Sequence, residues 1–252
     1  MVNWFERAVR RVRGGAGGRV DAPRIRPRSQ SNLESTKVDL HELVPDTMTF
    51  LGKSAYVQLM LFENLSRIVT TAPTIEAKSA MSDVASAALA KYQGLTREIE
   101  RQGADPAEVM KPFSREIDSF QRRTQGHDWH ESVTTCYLSG GFLNDFFARL
   151  ATGLPTAVAA RVTAILTADS GEAIVVSELL GVTEGNPRLS ARLALWGRRL
   201  VGDTMLIARW ALRESDSAAS TAGNTDEERL EPVFTELIAA HTRRMDALGL
   251  TA

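Results

Sequence analysis

The sequence holds a single cysteine, Cys136, in 252 residues. That excludes an intramolecular disulfide and a zinc site built on cysteines. Histidine is nearly as scarce. The four are His41, His127, His130 and His241, and the residues three places before them are Val38, Thr124, His127 and Ile238. No Glu-x-x-His pair exists, so the helical metal-ligand motif that needs a carboxylate and an imidazole one turn apart is missing. No run of 18 apolar residues occurs, which removes an ordinary membrane-spanning helix. Neither a G-x-x-x-x-G-K-[ST] phosphate loop nor a G-x-S-x-G nucleophile elbow is present. No segment alternates apolar and polar residues as a half-buried strand does. Lysine is also rare, five against 25 arginines.

What is present is helix after helix. Hydrophobic content is 43% and charged content 24%, ordinary for a globular chain. Apolar periodicity predicts helices over about 46–71, 74–102, 129–152, 155–181, 187–213 and 226–248. Pro45, Pro73, Gly103, Gly153, Gly181 and Pro187 mark their boundaries. Asp105 followed by Pro106 is a start signal for a shorter helix, and Asp128 is an expected N-cap. Long helices on short loops make an all-α bundle.

The leader differs from the rest. Residues 1–30 hold eight arginines against Glu6 and Asp21, a net +6; the whole chain's −1 then leaves −7 for residues 31–252. "VNWFERAVRRVR" places Phe5, Val9 and Val12 on one helical side and Arg7, Arg10, Arg11 and Arg13 on the other. It reads as a basic amphipathic helix for an anionic membrane surface or nucleic acid, or else as a solubilising tail or a helix packed on the protein's own body. "GGAGGRVDAPRIRPR" reads as a flexible linker. The expected division is a leader over 1–35 and a helical domain over 36–252. The full chain is expected to pellet with anionic liposomes and a shortened chain starting near residue 35 to stay in solution. Each arginine contributes about 1 kcal/mol at low salt. Equal pelleting of both chains sinks the lipid reading, and RNA binding of equal strength moves it to nucleic acid.

Bundle-facing positions at 3–4 spacing give four seams. They are Ala55, Gln58, Phe62, Leu65 and Val69; Ala77, Met81, Val84, Ala88, Lys91 and Leu95; Cys136, Gly140, Leu143, Phe147 and Leu150; and Ile165, Ala168, Glu172, Val175 and Leu179. Each has small or polar residues near its middle. That points to a shared site, although small residues also simply let helices approach.

From about residue 47 onward the chain resembles the ferritin-like proteins related to non-haem di-iron tRNA hydroxylases, in particular their actinobacterial relatives. The resemblance is carried by "AYVQ" at 55–58, "AKYQGL" at 90–95 leading to "ERQGADP", and "YLSGGFLNDFFARLATGLP" at 137–155. "RLALWGRRLVGD" at 192–203 and "HTRRMDALGL" at 241–250 extend it. It implies a ferritin-like four-helix bundle with additional helices, and it implies two irons held by one carboxylate from each of two helices and a Glu-x-x-His from each of the other two. Carried over, those ligand positions fall on Gln58, on Ala88 and Lys91, on Gly140, and on Ala168 and Gly171. None is a carboxylate or an imidazole. The polar centre of "ILTADSGEAIVVSEL" at 165–179 then reads as the remnant of a metal-binding turn, with Asp145 as a supporting acid.

The resulting expectation is a cytoplasmic protein, peripheral at a membrane if the leader binds lipid, without cofactor, and homodimeric. It serves as a non-catalytic binding or structural module. The competing expectation is a tRNA-hydroxylase-like oxygenase with iron or manganese on an unusual acid set of Glu63, Asp145, Asp169 and Glu172. Lys91 is expected either to be buried in a charge network with Glu172 and Asp145 or to snorkel to the bundle edge. "HDWH" at 127–130 offers two histidines and an acid, but lacks a third partner nearby in sequence. Trp196 is expected in the core with Leu189, Leu193 and Leu200, with Arg198 and Arg199 at its edge.

Overall fold

The computed structural model describes residues 44–212 and 225–251, with backbone alone over 225–230. The leader with Arg7, Arg10, Arg11 and Arg13, the expected boundary near residue 35, and His41 lie outside the described residues.

Every regular element among the described residues is helical. The order is α1 (Thr47–Thr70), α2 (Ile75–Arg101), α3 (Pro106–Met110), a 3-10 turn (Lys111–Phe113) and α4 (Ser114–Arg123). Then come α5 (Trp129–Ala151), α6 (Thr156–Leu166), α7 (Glu172–Thr183), α8 (Pro187–Ala211) and α9 (Thr225–Ala247). The starts are set by side chains that take up the orphan amides of the first turn. Asp46 accepts from the amides of Met48 and Thr49, and Thr74 from that of Ala77. Asp105 caps α3 ahead of Pro106. Asp128 and Asn186 do the same for α5 and α8.

One expectation needs correcting. The helix expected over 155–181 is two helices, α6 and α7, separated by residues 167–171. Gly171 adopts φ +70°, a left-handed conformation that a side chain resists. Asp169 accepts the Gly171 amide at 2.9 Å, a turn that competes with helical bonding.

Helices α1 and α2 form an antiparallel hairpin. Helix α5 packs on α1, and the α6–α7 pair packs on both α2 and α5, which closes a four-helix bundle. Helices α8 and α9 cover the other side of α5. This makes α5 the central helix, and it is buried nearly all round, with Leu138, Phe142, Phe146 and Phe147 almost wholly inaccessible. The α2 seam from Ala77 to Leu95 is buried as its spacing requires, Lys91 included.

Candidate functional site

A cavity of about 40 Å³ lies inside the bundle, between α1, α2, α5 and the start of α7. Gln58, Ala88, Lys91, Gly140, Ser170 and Glu172 are among its lining residues, with Cys136, Tyr137 and Asn144 beside them. Four of the six inferred ligand positions therefore share one chamber. Of the other two, Gly171 is buried against Val84 at the edge of the chamber. Ala168 is a correction: the break between α6 and α7 leaves it exposed, away from the chamber.

Lys91 dominates the site. Its side chain enters from α2 and is only 3% exposed. The ammonium donates to the Leu166 carbonyl at 2.9 Å and to the Ser170 hydroxyl at 2.5 Å. Leu166 ends α6, so its carbonyl belongs to the last turn, where no helical donor reaches it and a cation is favoured. Burial holds the Lys91 ammonium below the ordinary lysine range, opposed by the fields of Glu172, Asp169 and Asp145.

A polar chain continues from Ser170. Asn144 donates to the Ser170 hydroxyl at 3.4 Å, and Gln58 donates to the Asn144 carbonyl oxygen at 2.7 Å. Tyr137 makes no hydrogen bond to another described side chain, and burial, with a smaller push from Glu172, raises its hydroxyl above the ordinary range. Burial pushes the Cys136 thiol up to about 12, which makes it a poor nucleophile.

The acids are arranged differently from expectation. Glu172 does not pair with Lys91. Arg244, from α9, bonds Asp145 at 2.8 Å and Glu172 at 3.3 Å. Its guanidinium occupies the space where a side chain on Gly141 would stand. Arg244 is 12% exposed while the two carboxylates keep 40% and 46% of their surface, so the arginine is the buried member of this triad. The unusual ligand set is not brought together either. Glu63 faces Arg67 at 3.6 Å near the surface, and exposed Asp169 is bonded to backbone. Among the described residues no group of three histidines, cysteines or acids is placed to hold a metal ion. The chamber's lining offers amide, hydroxyl and ammonium groups, one thiol held protonated by burial and one carboxylate, Glu172, that is turned to Arg244, and this set does not fit a pair of irons.

The "HDWH" corner is structural. His127 pairs with Glu131 at 2.9 Å and meets the Trp196 ring edge-on at 5.7 Å. Trp196 is buried, its indole N–H donates to the Thr135 hydroxyl at 2.9 Å, and Arg199 lies over the ring. Sequence reasoning missed Asn144, Ser170 and Arg244. Asn144 stands beside the flagged Asp145, and Ser170 lies inside the quoted turn. Nothing local marks Arg244, because its partners are about 70 and 100 residues away.

Among the described residues no helix is long and apolar enough to cross a membrane. No curated protein matches the chain. A model of the ferritin-like domain of actinomycetes matches residues 41–224, a stretch that takes in α1 through α8. The chain belongs to this ferritin-like family of actinomycetes.

Proposed function

We propose that this protein is a non-catalytic ferritin-like binding module, related to the di-iron tRNA hydroxylases, in which a lysine-centred hydrogen-bond network stands where those enzymes hold iron. The observation that carries this is Lys91, a buried ammonium inside the chamber. At 4 Å a like charge costs roughly 4 kcal/mol per unit of metal charge at an effective dielectric of 20. A site meant for dications does not place a cation among their ligands. The carboxylates that remain nearby, Asp145 and Glu172, are turned to Arg244. The same reading keeps a homodimer as the working assembly and the basic leader as its contact with an anionic surface.

Metal analysis tests it. Full-length protein purified after growth with added iron and manganese is expected to carry both far below stoichiometry. Near-stoichiometric iron or manganese overturns the reading and favours the oxygenase with an acid ligand set.

A further inference from the structure

We propose that the outer side of α8, with the first half of α9 beside it, is the face through which two copies of this chain pair about a two-fold axis. The inference rests on the homodimer kept in the reading above and names the surface that makes it.

Helices α8 and α9 lie on α5 side by side, so each has an inner and an outer side. Trp196 and Thr204 of α8 turn inward to Thr135 and Ser139 of α5, and Phe234 of α9 stacks on Phe146. Leu195 and Leu206 stand on the opposite side of α8 and are 64% and 62% exposed. Eleven residues are close to three whole turns, so the two leucines share one line along the helix, about 16 Å apart. Ile238, on the flank of α9 next to α8, is 39% exposed. Among the described large apolar residues only Ile75 is exposed elsewhere. Exposed apolar side chains gathered on one side of a helix layer mark a contact surface.

Charge identifies the occupant. Residues 188–199 hold four arginines and no acid, a net +4 at the start of α8. Asp128 and Glu131 take up Arg192. Arg198 donates to the Thr251 carbonyl and Arg199 lies over the Trp196 ring, and these two and Arg188 have no acid partner among the described residues. The start of α9 has the opposite sign: residues 226–231 hold four acids against Arg229, a net −3. Exposed Glu231 has no ion-pair partner among the described residues. The two helices run antiparallel, since Gly197 meets His241 and Met245 while Arg209 lies over Phe234. The acidic start of α9 therefore lies beside the end of α8, far from the basic start of α8. One face thus has a basic end and an acidic end. A uniformly anionic partner is repelled by one of them, whereas a second copy turned end for end matches both at once.

The spacing along α8 fits the same symmetry. In a two-fold contact, residue i meets residue j and j meets i. An axis crossing α8 between Leu200 and Val201 sets Leu195 against the partner's Leu206, and Leu206 against the partner's Leu195. Arg199 then stands level with the partner's Asp203. Gly202 lies next to the axis on the line of the two leucines. A side chain built there would meet nothing within 4 Å, so the glycine leaves open space where the two helices come closest.

Sedimentation of the full-length protein over a range of concentrations tests the face. The unmodified chain is expected to be a dimer. Leu206→Glu should raise the dimer's dissociation constant by roughly tenfold or more. Two further variants reverse one end each: Arg188→Glu with Arg198→Glu, and Glu231→Arg with Thr235→Arg. Each alone should dissociate like the Leu206 variant, because like charges then meet twice. An equimolar mixture of the two should associate again, because each reversed end finds its opposite on the other chain. All these positions are exposed, and recovery in the mixture shows that both variants are folded. A dimer that keeps its affinity through all three variants, or a mixture that stays monomeric, overturns this face and leaves the homodimer standing. An unmodified protein that is monomeric throughout overturns the face and the homodimer together.

Discussion

Replacing Lys91 by alanine is expected to lower the unfolding free energy by about 3 kcal/mol, and replacing it by methionine by about half as much. Alanine removes the stem of four methylenes and enlarges a cavity that already exists, and the cost of a core hole grows with its volume. It also leaves the Leu166 carbonyl at the end of α6 without its donor. Methionine loses the same donor but keeps the volume and relieves the desolvation of a buried charge, which offsets part of the loss. Glu172→Gln provides the decisive comparison. A direct Lys91–Glu172 pair, as the seams alone would arrange it, requires the double change to recover much of the single loss. The structure gives the Glu172 hydrogen bond to Arg244 and leaves only its field on Lys91, so the coupling between the two changes should be about 1 kcal/mol or less. Urea unfolding of the two Lys91 variants, Glu172→Gln and the double variants decides between these arrangements. A coupling of about 2 kcal/mol restores the direct pair.

The helices were legible because their boundaries are marked by local chemistry. Asp128, Asp105 with Pro106, and Asn186 with Pro187 all cap as their sequences require. The break between α6 and α7 was hidden by the apolar residues flanking it. Ile165, Val175 and Leu179 keep one helical register across the gap, so periodicity reads straight through. The contrary signal was present in Asp169 and Gly171, an acid that bonds backbone two residues on and a glycine free to turn left-handed. Lys91 was legible as a seam residue for the same reason that Ala88 and Leu95 were. Its partners were not. A seam records which side of a helix is buried, but not which atoms of another helix arrive there. Leu166 offers a carbonyl only because α6 stops at that residue, and the expected continuous helix would have used that carbonyl internally. Arg244 lay inside the stretch "HTRRMDALGL" with nothing in the sequence to single it out. Only the close approach that Gly141 permits brings it onto Asp145 and Glu172.

A second charge site lies at the far end of α2, and its loss should be felt as strongly as that of Lys91. Glu98 is wholly inaccessible, yet it is a carboxylate. Arg161 of α6 bonds both of its oxygens, at 2.6 and 2.9 Å, which is the planar two-point contact that suits a guanidinium. Gln102 donates at 3.2 Å, and Arg101 completes the set. These bonds tie α2 to α6, the helix whose last carbonyl receives Lys91. Glu98→Ala is therefore expected to cost about 3 kcal/mol at neutral pH, because charge-assisted bonds to a buried group are lost together and a small hole remains. The two arginines stay half exposed and rehydrate, which keeps the loss from being larger. The effect should depend on pH in a definite direction. The hydrogen bonds from Arg161 hold the Glu98 carboxyl below the ordinary glutamate range, with burial opposing them. A carboxyl whose folded value is depressed contributes its full stabilisation above its unfolded value, roughly pH 4.3, and loses it as pH falls through the folded value. The stability gap between the unmodified protein and Glu98→Gln should thus be constant from neutral pH down to about pH 5 and close below it. Chemical denaturation of both proteins across that range measures the gap. A gap that persists undiminished in acid would mean that shape and packing, rather than the carboxylate's charge, hold α2 against α6.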